Sequence, residues 1–352
     1  MKKVTLIFAL MLAGSTTFAQ DAAEPVAPTS TPLEISGSGD LYYKYDFAKI
    51  PNIGTSFATD QNSVSLGMLD IALKKKTGKA SFVGELSFGP RGQYQSIPNG
   101  DGADGNSFHI QNLYASYEVT DKLSLTAGYM GTFVGYEVIS PVANFNYSTS
   151  YLFTNGPFQN AGIKANYKIT DKFGVMLGAF NDTWNTYKAD EINGVSSIGA
   201  QLSYASDKVS AYLNFMDGSE SGTIIDLTAS FQITEKFKLG LNAADWSGIG
   251  DDEGYTGAAL YPIYALTDSF ALGLRAEYFQ AKENATGLYG IGADQSVTAF
   301  TLTGNFKAGG LTFIPEFRLD NNSEEYFMDG PAPDGEPTKS ASQFVLAVVY
   351  GF

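Results

Sequence analysis

The sequence predicts an all-β fold: a transmembrane antiparallel up-and-down β-barrel of about 16 strands, with short periplasmic turns and long external loops. Three observations predict it. The N-terminus reads as an export leader. Most of the chain alternates apolar and polar residues in segments of about 10. The breaks between segments are short and long by turns.

The leader begins with Lys2 and Lys3, continues in an apolar run from Val4 to Leu12, and ends on small residues up to Ala19. That is the pattern of a secretory signal peptide over residues 1–19, with cleavage expected after Ala19. The run is too short for a helical span, which needs ~20 residues. Residues 20–34 hold three of the 13 prolines and are expected to form a flexible leader, with the barrel occupying 35–352.

Hydrophobic residues make up 44%, close to a soluble average, so bulk hydrophobicity does not decide the class. The 25 Phe, 21 Tyr and 38 Gly are more telling. Cys is absent, so an exported chain of this size needs a large hydrogen-bond network or core in place of disulfides. Net charge is −15, and −17 once Lys2 and Lys3 leave with the signal. Such a chain repels phosphate backbones, which argues against nucleic acid as a partner.

The last segment shows the alternation plainly. Phe344, Leu346, Val348, Tyr350 and Phe352 share one face, and Gln343, Val345, Ala347, Val349 and Gly351 the other. Leu123 to Tyr129, Phe270 to Tyr278 and Leu311 to Leu319 repeat it, with small, polar or charged residues opposite the apolar ones. Short breaks recur as Thr120-Asp121-Lys122, Thr170-Asp171-Lys172, Ser206-Asp207-Lys208, Thr234-Glu235-Lys236 and Thr267-Asp268-Ser269. Thr77-Gly78-Lys79 and Ala308-Gly309-Gly310 fill the same slot; Asp and Gly are expected to supply the turn conformations. Longer polar breaks, among them 48–63, 135–159 and 321–340, separate these turns. An even strand number puts both termini and every short turn on one side and every long loop on the other.

In lipid no backbone polar group can stay unpaired, so a strand-only chain must close. The apolar face then meets lipid, with Tyr43, Tyr45, Phe47, Tyr129, Phe133, Tyr167, Phe231, Phe237, Phe270, Tyr278 and Phe352 placed for the interfacial girdles. The opposite face sends Asp40, Lys44, Glu85, Glu118, Lys164, Lys168, Asp182, Arg275, Glu277, Glu316, Arg318 and Asp320 into the lumen. A charge on the lipid face at mid-bilayer costs about 2–4 kcal/mol for Arg or Lys, which makes inward placement the expectation. Arg275 with Glu277, and Glu316 with Arg318, are two apart on one face and spaced to pair. Such charges set ion preference in a channel, or simply solvate a lumen wall.

The long break at 135–159 is rich in Tyr, Phe and Asn, whereas exposed loops are usually polar. Sixteen strands enclose an aqueous channel. This loop is therefore expected to fold inward and narrow the pore, with Glu137, Asn144, Asn146, Tyr147 and Tyr151 as constriction residues; the competing reading packs it on the rim or a neighbouring subunit.

The same stretch carries a family resemblance. Gly135-Tyr136-Glu137-Val138-Ile139-Ser140-Pro141, then Asn144 through Phe153, then Gly156-Pro157-Phe158, resemble the β-barrel porin-2 (OmpL-like) family, as do Leu113-Tyr114-Ala115 and Gly128-Tyr129. The resemblance covers about Ile35 to Phe352 and implies an outer-membrane channel without naming a solute. The terminal apolar strand ending on Phe352 resembles the assembly signal of outer-membrane proteins, which implies the barrel-assembly machinery as a partner. Outer-membrane lipid, lipopolysaccharide, and small solutes or ions complete the expected partners; a homotrimer and a monomer both stay open.

Catalytic machinery is not expected. His109 is the lone histidine and Cys is absent, so the usual zinc sets cannot form, and no nucleophile elbow or phosphate loop occurs. No cofactor is implied. The acidic runs Asp251-Asp252-Glu253 and Glu324-Glu325 match no EF-hand and read as solvated loop charge. The alternative to a porin is a structural or adhesive barrel with a closed lumen. A barrel enzyme lacks its residues, and a soluble sandwich would not put all long loops on one side.

Overall fold

The computed structural model describes residues 30–89, 91, 108–181, 184, 187–189 and 191–352. The expected signal peptide and Asp182 lie outside them. Strands alternate faces at period 2, and here the alternation runs long enough in each segment to build a wall. The strands are β1 (Glu34–Asp46), β2 (Ser63–Thr77), β3 (Ala80–Phe88), β4 (Phe108–Glu118), β5 (Leu123–Gly131), β6 (Gln159–Lys168), β7 (Phe173–Phe180), β8 (Ser197–Ala205) and β9 (Val209–Gly218). They continue as β10 (Gly222–Gln232), β11 (Phe237–Ser247), β12 (Gly254–Ala265), β13 (Phe270–Ala281), β14 (Ser296–Ala308), β15 (Leu311–Asn322), a loop hairpin β16 (Phe327–Met328) with β17 (Pro337–Thr338), and β18 (Ser340–Gly351).

Each wall strand pairs antiparallel with its sequence neighbours, and β1 closes on β18 to give a barrel of 16 strands. The seam runs from Ser38 opposite Gly351 to Asp46 opposite Gln343, and Phe352 and Gly37 exchange both backbone bonds at 3.0 Å. Among the described wall strands no edge is left for lipid. The end of the expected flexible leader is tied down, since Ser30 bridges Thr77 and Thr31 N donates to Lys76 O at 3.0 Å. No described helix is long and apolar enough to cross a membrane.

The two faces separate as the alternation requires. On β15, Phe313, Phe317 and Leu319 are exposed outward, while Ile314, Glu316, Arg318 and Asp320 are buried inside. Two girdle assignments do not hold. Phe133 lies past the end of β5, where the chain turns inward, and stacks on Phe180 at 5.7 Å; Tyr129 is buried.

The short turns owe their repeated wording to threonine rather than aspartate. Thr120 Oγ1 accepts from the amides of Lys122 (3.2 Å) and Leu123 (3.0 Å), and Thr170, Thr234 and Thr267 do the same. The hydroxyl satisfies two amides that the hairpin leaves orphaned. Among described residues none of the turn aspartates has positive φ; Gly78 (59°) and Gly309 (62°) do, and Thr77 beside Gly78 bonds to Ser30 Oγ at 3.4 Å.

Candidate functional site

Beyond Gly131 the chain turns into the barrel and stays there until β6. Gly135 makes the entry at φ 92°, and its amide donates to Asp226 Oδ1 at 3.0 Å. Asn214 (2.6 Å) and Asn242 (2.5 Å) donate to the same carboxylate, so Asp226 anchors the loop start to three neighbouring strands. Farther along, Asn144 closes a small turn on both backbone groups of Val138, at 3.0 and 2.6 Å. Ser150 caps the short helix α1 (Tyr151–Asn155), accepting from Phe153 N at 2.9 Å.

The inner wall holds the middle of the loop through its charges. Tyr147 N (2.9 Å) and Ser148 N (3.2 Å) donate to Glu316, which also accepts from the Ser148 hydroxyl and from Thr303 Oγ1 (2.9 Å). Glu277 accepts Tyr151 N (3.0 Å) and Leu152 N (2.9 Å), the free amides of the first helical turn, where negative charge is favoured. Cations take the loop's acceptors. Arg275 Nη1 donates to Glu137 (2.8 Å) and Ser148 O (2.6 Å), and Nη2 to Thr149 O (3.2 Å). Arg318 Nη1 donates to Thr149 O (2.8 Å), while its Nε and Nη2 hold Asp320 at 2.8 Å each. Asn146 Nδ2 donates to Thr303 Oγ1 at 2.7 Å. Tyr147 and Tyr151 donate their hydroxyls to Asp40 (2.5 Å) and Asp320 (2.9 Å). Burial, then the adjacent carboxylates, push both phenols well above their ordinary pKa, so they stay donors.

The ion pairs therefore differ from the spacing expectation. Arg275 pairs with Glu137 and Arg318 with Asp320, because Glu277 and Glu316 are occupied by loop amides. Both guanidiniums are fully buried. Removing one partner of such a pair costs about 3–5 kcal/mol, since the other charge is then stranded.

Inner-wall glycines receive the loop's apolar side chains. A Cβ on Gly273 would come within 2.3 Å of the Phe145 ring, on Gly240 within 2.3 Å of Tyr136, on Gly257 within 2.9 Å of Leu152, and on Gly199 within 2.6 Å of Phe133. Tyr136 also stacks on Tyr261 at 4.4 Å. The abundance of glycine thus has a local use: it cuts sockets in the wall.

A second segment joins the first. Residues 47–62 also dip inward: Ser56 N donates to Thr154 Oγ1 (2.8 Å), Thr149 Oγ1 to Ser56 O (2.6 Å) and Arg318 Nη1 to Thr55 Oγ1 (3.0 Å). Arg91 lies between the rings of Phe57 (4.4 Å) and Tyr147 (4.9 Å) and donates to Ile139 O at 2.9 Å. These segments enclose an external cavity of about 590 Å³. At this level inward side chains are buried around the circumference, from Lys44 and His109 through Met176 and Met216 to Tyr255 and Val345. Below it the barrel opens into a vestibule of about 660 Å³ that reaches the short turns.

Lys44, Arg275, Glu277, Glu316 and Arg318, with Glu137, Asn146, Tyr147 and Tyr151, all lie at the buried loop level. Asn144 is half-buried and lines the top of the vestibule. Glu85 lines a separate cavity with Asp70 and Lys74, Lys164 is half-buried on the inner face of β6, and Glu118 is exposed and paired with Lys76 at 2.6 Å. Sequence reasoning missed Asp226, Thr303, Arg91 and the 47–62 segment. The period-2 face of β10 and β14 carried the signal for Asp226 and Thr303; nothing local marked 47–62.

A closed 16-strand barrel with a lipid-facing apolar wall and an inward-folded third long loop defines an integral outer-membrane barrel of porin type. The chain belongs to the family described as Putative beta-barrel porin-2, OmpL-like, whose model matches residues 32–352. Solved structures share the fold at low identity. In-vitro folded OmpT, an outer membrane protein of Vibrio cholerae, aligns with TM-score 0.56 and 13% identity over 94% of this chain and 100% of its own. A trimer form of that protein gives 0.55 and 12% over 92% and 99%. A mutant Rh. blastica porin gives 0.56 and 14% over 91% and 100%. No curated protein matches the sequence significantly.

Proposed function

We propose that this protein is a passive channel for small hydrophilic solutes or ions across the outer membrane, with residues 132–158 as its constriction. The observation that carries the reading is the loop's attachment inside the lumen by Glu277, Glu316, Arg275 and Arg318. In this reading Lys44 and those four position the constriction, while Glu85, Glu118 and Lys164 line the water below. Phe352 serves barrel assembly, the acidic external loops meet lipopolysaccharide through divalent ions, and the outer wall accommodates a homotrimer. The signal peptide leaves after Ala19, which the N-terminal mass of the exported protein checks.

The filled external half of the lumen favours a second reading, a structural or adhesive barrel with a closed lumen. Deleting 140–155 and measuring single-channel current separates the two. A channel conducts and the deletion raises its conductance. Equal conductance in both proteins removes the constriction role, and silence in the intact protein with current in the deletion assigns the loop as a plug.

A further inference from the structure

The loop is not held equally on all sides. Its charged attachments go to β13 and β15, whereas along β8 to β11 a row of cavities runs past it. The vestibule shares Tyr136, Ser210 and Ser230 with a cavity of about 310 Å³, which Thr132 and Phe133 of the loop bound on one side and Gln201, Tyr212 and Thr228 of the wall on the other. That cavity shares Gly135 with the next, which is only about 20 Å³ and lies between Val134 and Leu152 of the loop and Asp226, Asn242 and Tyr255 of the wall. A single water needs about 10–15 Å³, so the row narrows there to about one water. Segment 153–158 separates this last cavity from the external one, since Phe153, Gly156 and Pro157 line the first and Thr154 and Phe158 the second.

The narrow point is built around one carboxylate. Gln201 Nε2 donates to Asn214 Oδ1 at 2.8 Å, and Asn214 and Asn242 donate to Asp226, which also accepts the Gly135 amide. These donors are neutral and leave its charge in place. Glu137 and Asp320 each have a guanidinium at 2.8 Å, but no described cation pairs with Asp226. A buried carboxylate without a counter-ion is costly, and a cation beside it relieves that cost. Buried carboxylates outnumber buried cations in the barrel, so the surroundings do not cancel its field. Lys238 and Lys307 stand in the wide vestibule, whereas ion preference is set by charges at close quarters. The loop has room to yield at this point: a Cβ on Gly135 would meet nothing within 4 Å.

We infer that ions pass the inward loop along the β8–β11 wall, and that Asp226 at the narrowest point makes the passage prefer cations. A shift of Gly135 frees one acceptor site of Asp226, and the passing cation takes the place of the amide. This rests on the channel reading above. The chain has no Cys, so a single introduced thiol reports its own position. In planar bilayers, a charged methanethiosulfonate reagent is expected to lower the current of Thr228→Cys and to leave Ala347→Cys, on the inner face of β18, unchanged. In a KCl gradient the wild-type reversal potential is expected to mark potassium as the more permeant ion, and Asp226→Asn to lower the potassium-to-chloride ratio several-fold, with Asp226→Glu retaining it. A conducting Thr228→Cys variant that the reagent does not affect overturns the path, and an unchanged ratio in Asp226→Asn or a chloride-preferring wild type overturns the role of Asp226. If Asp226→Asn does not insert, the wild-type sign and the thiol variants still decide. Absence of any current from inserted intact protein defeats the channel reading instead, so the two failures are distinct.

Discussion

Glu316 is one of two wall carboxylates that accept the amides of the inward loop, and replacing it should loosen the Tyr147–Ser148 stretch. Its carboxylate is buried and accepts the amides of Tyr147 and Ser148 together with two hydroxyls. In Glu316→Gln one of its two acceptor atoms becomes an NH2 donor facing other donors. One buried amide is then left unsatisfied, at a cost of about 1–3 kcal/mol. Glu316→Ala strands both amides, and water entering the vacated space recovers part of the loss. At about 1.4 kcal/mol per factor of ten, Gln should raise the released fraction of the loop roughly 5- to 150-fold. The barrel itself should persist, because backbone pairing of β14 with β15 and of β15 with β18 does not involve the side chain. The assay is single-channel recording, with protease protection of the 132–158 segment measured in parallel and heat-modifiable gel mobility as the folding control. More frequent or larger open steps and faster cleavage are expected. Folded Gln and Ala variants with wild-type protection and wild-type current would refute the latch.

Three further outcomes follow from the same geometry. Gly273→Val fills the socket of the Phe145 ring and should displace the loop without unfolding the barrel, seen as faster loop cleavage at unchanged gel mobility. Arg275→Leu leaves Glu137 buried without its cation and should cost about 3–5 kcal/mol in loop retention, checked by comparing it with the Arg275→Leu, Glu137→Leu double variant, which should recover most of the loss. Replacing Thr120, Thr170 and Thr234 together by Ala removes two accepted bonds per turn and should lower refolding yield in detergent, with a net loss of about 0.5–1.5 kcal/mol per bond.

The wall was readable in the sequence because lipid imposes a strict code: a period-2 run such as Leu311 to Asp320 can face only one way. Strand number, closure and the sidedness of the loops followed from counting such runs and the breaks between them. Aromatic richness in an otherwise external loop pointed to the inward course of the third long loop. What the alternation could not say was how deep a charge is once inside. It treated Arg275, Glu277, Glu316 and Arg318 alike as wall residues, and it paired neighbours at two-residue spacing. The partners that matter, Tyr147, Ser148, Thr149, Tyr151 and Leu152, come from a loop more than 120 residues away in sequence. Backbone amides leave no mark in a side-chain pattern, so neither the latch nor the 47–62 segment was legible. The glycine sockets were visible only as composition, since a socket is defined by the ring that enters it.

The most direct test of the account is current through the refolded, intact protein in a planar bilayer. The account predicts stable unitary open steps through a lumen narrowed by an inward loop. Silence from protein shown to be folded and inserted would contradict it and assign the barrel to a closed, structural role.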